Sequence, residues 1–141
     1  MIAYFDTSAV VPLLVEEPGT HISLRVFLQA DTVATVRMTF AEVSAALARA
    51  ARLGRLTAAA HDRALAELES VWAQMDVLDV DDDLVHTAGA LARDHALRGY
   101  DAVHCAAALR VLSATTVALA GDRDLLTAWQ REGLQVLDTQ S

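Results

Sequence analysis

The chain has 141 residues, 54% of them hydrophobic, with a mean hydropathy of +0.30: one domain's length and enough apolar surface for a core without covalent staples. Cys105 is the only cysteine, which excludes an intrachain disulfide and a zinc site built on thiolates, and fits a reducing cytoplasm. The net charge of -8 argues against broad phosphate binding by a basic patch, and no segment resembles a secretory leader or the roughly 20 apolar residues of a membrane helix, so a soluble cytoplasmic protein is expected.

Ile2 to Phe5 is a short apolar run that ends at Asp6 and reads as a buried strand. The β-branched run Thr32 to Thr35 reads as a second strand. A helix is expected from about Phe40 to Leu53, with Gly54 as its left-handed cap. Thr57 caps the next helix, in which Leu65, Leu68, Val71, Trp72 and Met75 recur at helical spacing. Val77 to Val80 is a third strand. Asp81, Asp82 and Asp83 then open a helix at the end its dipole makes positive. That helix buries Leu84, Ala88, Leu91 and Ala92 and ends before Gly99.

Ala102 to Leu112 is a very apolar helix, and Thr116 to Ala120 is a strand. Asp122 starts a short helix that stops at Gly133, and Leu134 to Leu137 is the last strand. Strands alternating with helices imply a single α/β domain over residues 1–141, with a central parallel sheet of four to five strands in a three-layer α/β/α arrangement.

Ligands of open α/β sheets bind beyond the carboxyl ends of the strands. Asp6 and Asp122 both follow strands, while Glu42 and Asp101 stand in first helical turns. Any one of these acids is explained as a helix cap. Four of them, each at an element end on a plausible common rim, point instead to hard cations such as Mg²⁺ or Mn²⁺, which take oxygen ligands and assist phosphoryl displacement. Such ions would also place positive charge where a phosphate binds, despite the acidic chain.

The segments Phe5-Asp6-Thr7-Ser8-Ala9, Phe40-Ala41-Glu42-Val43, Tyr100-Asp101-Ala102-Val103-His104 and Ala120-Gly121-Asp122-Arg123-Asp124-Leu125-Leu126 resemble, in order, the four signature blocks of PIN-domain nucleases. The nearest resemblance is to the VapC toxins of bacterial toxin–antitoxin pairs. One departure is Ala120, where the family often carries Ser or Thr.

The resemblance implies a PIN-like fold in which Asp6, Glu42, Asp101 and Asp122 ligate one or two Mg²⁺ or Mn²⁺ ions. It implies hydrolysis of phosphodiesters in structured RNA of the tRNA or rRNA class. It also implies a VapB-like antitoxin that blocks the site, and a homodimer. Ser8, Asp124 and Arg123 are candidate supporting residues, and Arg37, Arg98 and Arg123 are candidate contacts to the RNA backbone.

His104 is expected to be a core histidine bonded to backbone, Cys105 an inert core thiol, and Trp72 and Trp129 packing residues. Two other functions fit parts of the pattern. An aspartate-nucleophile phosphohydrolase would place an acid where Ser8 stands and would need a lysine, which the chain lacks. A non-catalytic RNA-binding or regulatory module has no need of all four acids.

Overall fold

The computed structural model describes residues 1–141. Its elements run β1 (Ile2–Phe5), α1 (Thr7–Leu14), α2 (Thr20–Gln29), β2 (Thr32–Val36), α3 (Thr39–Arg52), α4 (Ala58–Trp72), β3 (Asp76–Leu78), α5 (Asp82–His95), α6 (Gly99–Arg110), β4 (Thr116–Ala120), α7 (Arg123–Arg131) and β5 (Gln135–Asp138). All strand pairings are parallel, in the order β3-β2-β1-β4-β5. The expected three-layer α/β/α arrangement is present.

Alternation along β1 divides the core. Tyr4 packs with residues of α5, α6 and α7, whereas Ala3 and Phe5 pack with residues of α1, α3 and α4. Both faces of the sheet are thereby covered, as parallel sheets require. Trp129 is fully buried against Tyr4, their rings 5.8 Å apart and edge to face, and Trp72 meets Phe40 in the same manner at 5.3 Å.

Several boundaries differ from the sequence reading. Helices α1 and α2 fill a stretch to which no periodicity was assigned, and β3 begins one residue earlier than expected and stops at Leu78. Gly54 and Gly133 do take positive φ angles just past helices. Gly99 does not close α5, because it is the first residue of α6. The left-handed cap of α5 is Ala96, at φ 53°.

The strand order reverses beside β1, since β2 and β3 extend on one side and β4 and β5 on the other. That switch point opens a crevice at the carboxyl ends of β1 and β4. Two further contacts set the elements around it. The buried Thr35 hydroxyl donates to the Phe5 carbonyl at 2.7 Å and lies 2.8 Å from the Thr39 hydroxyl, which ties the start of α3 to β1. At the end of the chain, the Thr139 amide donates to the Ala120 carbonyl at 3.0 Å.

The segment after β5 also presses on Gly19, where an added Cβ would lie 2.9 Å from the Thr139 carbonyl oxygen. Gly19→Ala is expected to destabilise the fold by about 1–3 kcal/mol through this backbone clash. Urea unfolding measures it, and an unchanged midpoint would show that the segment does not press on Gly19 in solution.

Candidate active site

Asp6 ends β1 and caps α1, its Oδ1 accepting from the Ala9 amide at 3.0 Å. Asp122 caps α7 in the same manner, accepting from the Leu125 amide at 3.0 Å. Glu42 and Asp101 occupy the first turns of α3 and α6. The capping explanation therefore holds for two of the acids. It does not account for where the four meet.

All four carboxylates line one cleft of about 390 Å³, together with Thr7, Ser8, Glu17, Tyr100, His104 and Gln140. Ser8 joins the two central strands at this point. Its hydroxyl donates to Asp6 Oδ1 and accepts from the Gly121 amide, both at 2.7 Å. Asp124 and Arg123 are exposed on the first turn of α7 and do not line the cleft, so the geometry gives neither a supporting role. Arg37 lies apart, paired with Asp79 at 2.7 Å.

Arg98 enters from the residue before α6. Its Nε is 3.0 Å from Asp101 Oδ2 and its terminal nitrogen 3.3 Å from Asp122 Oδ2, while its guanidinium lies 5.0 Å from the centre of the Tyr100 ring. One cation thus spans two carboxylates from different elements. On the other wall, Glu42 Oε1 accepts from the Thr7 hydroxyl at 2.7 Å and lies 2.8 Å from His104 Nε2. His104 is buried but bonds side chains of the cleft rather than the backbone, which corrects the expectation of an ordinary core histidine. Cys105, by contrast, is core, and burial pushes its thiol up to about 12.

The electrostatics follow from burial. Asp6 is raised from its ordinary 3.8 to about 6, chiefly by burial, with His104 and the hydrogen bonds from Ser8 and Ala9 pulling the other way. Asp101 is also raised, again chiefly by burial, with Arg98 opposing. Glu42 is lowered: burial is its largest influence and acts upward, but His104 and Thr7 together outweigh it.

The donor set suits a hard dication, since four carboxylates from four elements face one cleft. As the side chains stand, no three of the His, Cys, Asp and Glu groups are close enough to hold an ion. The physical reason is visible in the contacts: Arg98 holds Asp101 and Asp122, while Thr7 and His104 hold Glu42.

Thr7 stands in the first of the four acid-bearing segments. Its hold on Glu42, together with Tyr100, Glu17 and Gln140 on the walls, carried no spacing signal. His104 did carry one, being three residues after Asp101 and so on the same helical face.

A pH dependence follows from Asp6. A carboxylate raised in the folded state stabilises the protein below its unfolded value and loses that contribution as pH rises through about 6. The shift from 3.8 to about 6 corresponds to about 3 kcal/mol. Asp6→Asn is therefore expected to gain stability over the wild type between pH 4 and about 7, measured by urea unfolding in a chelator. Parallel stability curves for the two proteins would refute the assignment.

Known proteins show the same organisation. The family model described as PIN domain matches residues 3–128, a span that includes all four acids. Two Mycobacterium tuberculosis proteins are each 38% identical to this chain over 139 residues, covering 99% of it and 96% of their own length: ribonuclease VapC45 of strain CDC 1551 / Oshkosh and ribonuclease VapC49 of strain ATCC 25618 / H37Rv. The crystal structure of PAE2754 from Pyrobaculum aerophilum superposes with a TM-score of 0.70 at 26% identity, over 96% of this chain and 83% of that one. FitAcB from Neisseria gonorrhoeae shares the fold at a TM-score of 0.72 and 17% identity, over 99% and 98%. With the match running from β1 into α7 and two relatives aligned almost end to end, the chain belongs to the PIN-domain family, among the VapC ribonucleases.

Proposed function

We propose that this chain is the toxin of a toxin–antitoxin pair, an endoribonuclease that hydrolyses phosphodiesters of structured RNA with one or two Mg²⁺ or Mn²⁺ ions. The observation that carries the reading is the meeting of Asp6, Glu42, Asp101 and Asp122 in a single cleft at the strand-order switch. The 38% identical VapC ribonucleases support the RNA substrate, and a VapB-like antitoxin is proposed on the resemblance to the VapC toxins. A homodimer is proposed on the same resemblance.

The four carboxylates would hold the cation. Held by those carboxylates, it would supply Lewis acidity toward water and offset charge building on the phosphodiester. The chain's own groups do the rest. Ser8 and the Ala9 amide fix one Asp6 oxygen, so the carboxylate keeps one orientation toward the cleft. Thr7 and His104 do the same for Glu42.

Arg98 must release Asp101 and Asp122 for a dication to bind them. The freed guanidinium would then be available to a phosphate at the cleft. A second cleft of about 410 Å³ shares Val11, Glu17 and Ala46 with the first, and Arg49 and Arg55 line it. These are the arginines best placed to meet RNA backbone leading away from the cut. Ser8 stands where an aspartate-nucleophile phosphohydrolase carries its acid, and it is already engaged with Asp6 and Gly121.

Asp6→Asn and Asp101→Asn are each expected to abolish RNA cleavage while the circular dichroism spectrum stays native. Turnover at the wild-type level in both would end the proposal. Asp124→Asn should keep far more activity than Asp122→Asn in the same cleavage assay, because only Asp122 lines the cleft.

Arg98 supplies a separate test. Its side chain is 65% exposed, so solvent weakens the ion pairs it makes with the two carboxylates. Arg98→Gln should therefore tighten Mn²⁺ binding by a few-fold up to about tenfold, read by calorimetric titration. Equal affinity would show that Arg98 does not compete for the site.

A further inference from the structure

His104 is 2% exposed, yet its ring has a side-chain partner on each nitrogen. Nδ1 lies 2.8 Å from the Tyr4 hydroxyl, and Nε2 lies 2.8 Å from Glu42 Oε1 and 3.4 Å from the Thr7 hydroxyl. The Tyr4 ring, fully buried on β1, meets the imidazole edge to face with centroids 6.0 Å apart. Three elements are thus joined through buried polar atoms: β1 by Tyr4, α6 by His104 and α3 by Glu42.

The proton positions follow from elementary electrostatics. A bare Nε2 lone pair 2.8 Å from a carboxylate oxygen would repel it, so Nε2 carries a hydrogen and donates to Glu42. In the neutral ring Nδ1 is then an acceptor, and the Tyr4 hydroxyl is the donor that fills it. Burial, reinforced by the charges of Asp6 and Glu42, holds that hydroxyl well above its ordinary range, so it keeps its proton. Glu42 Oε1 receives two donors, Thr7 and His104, and Oε2 is left as the oxygen without a protein partner.

We infer that His104, seated by Tyr4, is the positioning residue that fixes Glu42 and leaves a single Glu42 oxygen free to serve a bound cation. The inference rests on the cleft being a metal site. Its logic is that of a ligand oriented from behind: the imidazole needs both anchors, one to set its ring and one to hold the carboxylate. An apolar residue of similar size would fill the same space and leave Glu42 held by Thr7 alone.

The two ring nitrogens can be replaced separately. The amide nitrogen of Gln reaches the place of Nε2, so His104→Gln keeps a donor to Glu42 and gives up Tyr4. The amide of Asn reaches only the place of Nδ1, so His104→Asn keeps Tyr4 and gives up Glu42. Loss of a partner behind a metal ligand typically costs about 10–100-fold in metal affinity. Mn²⁺ titration of the whole chain should show His104→Asn weakened about tenfold or more, and His104→Gln within about threefold of the wild type. In a Glu42→Gln background, His104→Asn should cause no further loss.

Equal weakening by Asn and Gln, or a loss that persists in the Glu42→Gln background, would overturn the assignment in favour of a general packing role. Nitrogen NMR of His104 in the metal-free wild type gives a readout that needs no variant to fold: it should report hydrogen on Nε2 and not on Nδ1 alone. The opposite tautomer would also overturn it. If the wild type binds no Mn²⁺ while the tautomer is as stated, the metal reading fails and the inference falls with it. If the wild type binds Mn²⁺ but Asn and Gln behave alike, only the role of His104 fails.

Discussion

Like charges gathered in a half-buried cleft repel one another, and the rest of this structure is arranged around that fact. Each of the four carboxylates has at least one donor, local or distant in the chain: Ser8 and the α1 amide for Asp6, Thr7 and His104 for Glu42, Arg98 for Asp101, and Arg98 with the α7 amide for Asp122. The raised Asp6 shows that this compensation is incomplete where burial is deepest. A carboxylate raised by burial is the kind of group that gains most from a nearby dication. The folded framework therefore carries a burial cost at Asp6 that the proposed cation would relieve, a common trade between stability and function.

The parallel sheet makes such a cluster feasible. Its interior strands are apolar on both faces, so polar side chains are confined to the strand ends, and the reversal of order beside β1 brings two of those ends together. Two helices then add one acid each from their first turns, where the dipole partly offsets negative charge. The Thr35 and Thr39 hydroxyls, buried between β1, β2 and α3, hold one of those turns in register with the sheet.

How far the amino-acid sequence reached depended on whether the signal was local. β1 and β4 were legible to the residue, because short apolar runs closed by an acid or a glycine have few other readings. The four acids were legible because each sits at an element end. Helices α1 and α2 were not: α1 contains Pro12 and has no acid in its first turn, and α2 buries only Ser23 and Val26. Gly99 misled because a glycine near a helix boundary favours the left-handed cap, yet Ala96 takes that conformation and Gly99 opens the next helix. The bond from His104 to Glu42 joins residues 62 positions apart. No periodicity encodes such a partner, so the histidine's place on the Asp101 face was visible and its hold on Glu42 was not.

The wall of the cleft is finished by the segment after β5. Thr139 is bonded to Ala120, and Gln140 crowds Gly121 and lines the cavity whose first acid is Asp6. The segments that follow β1 and β5 thus meet at one cleft. A chain that stops at the end of β4 has Asp6, Glu42 and Asp101 but neither Asp122 nor the segment that crowds Gly121, so it cannot assemble the four-acid cleft.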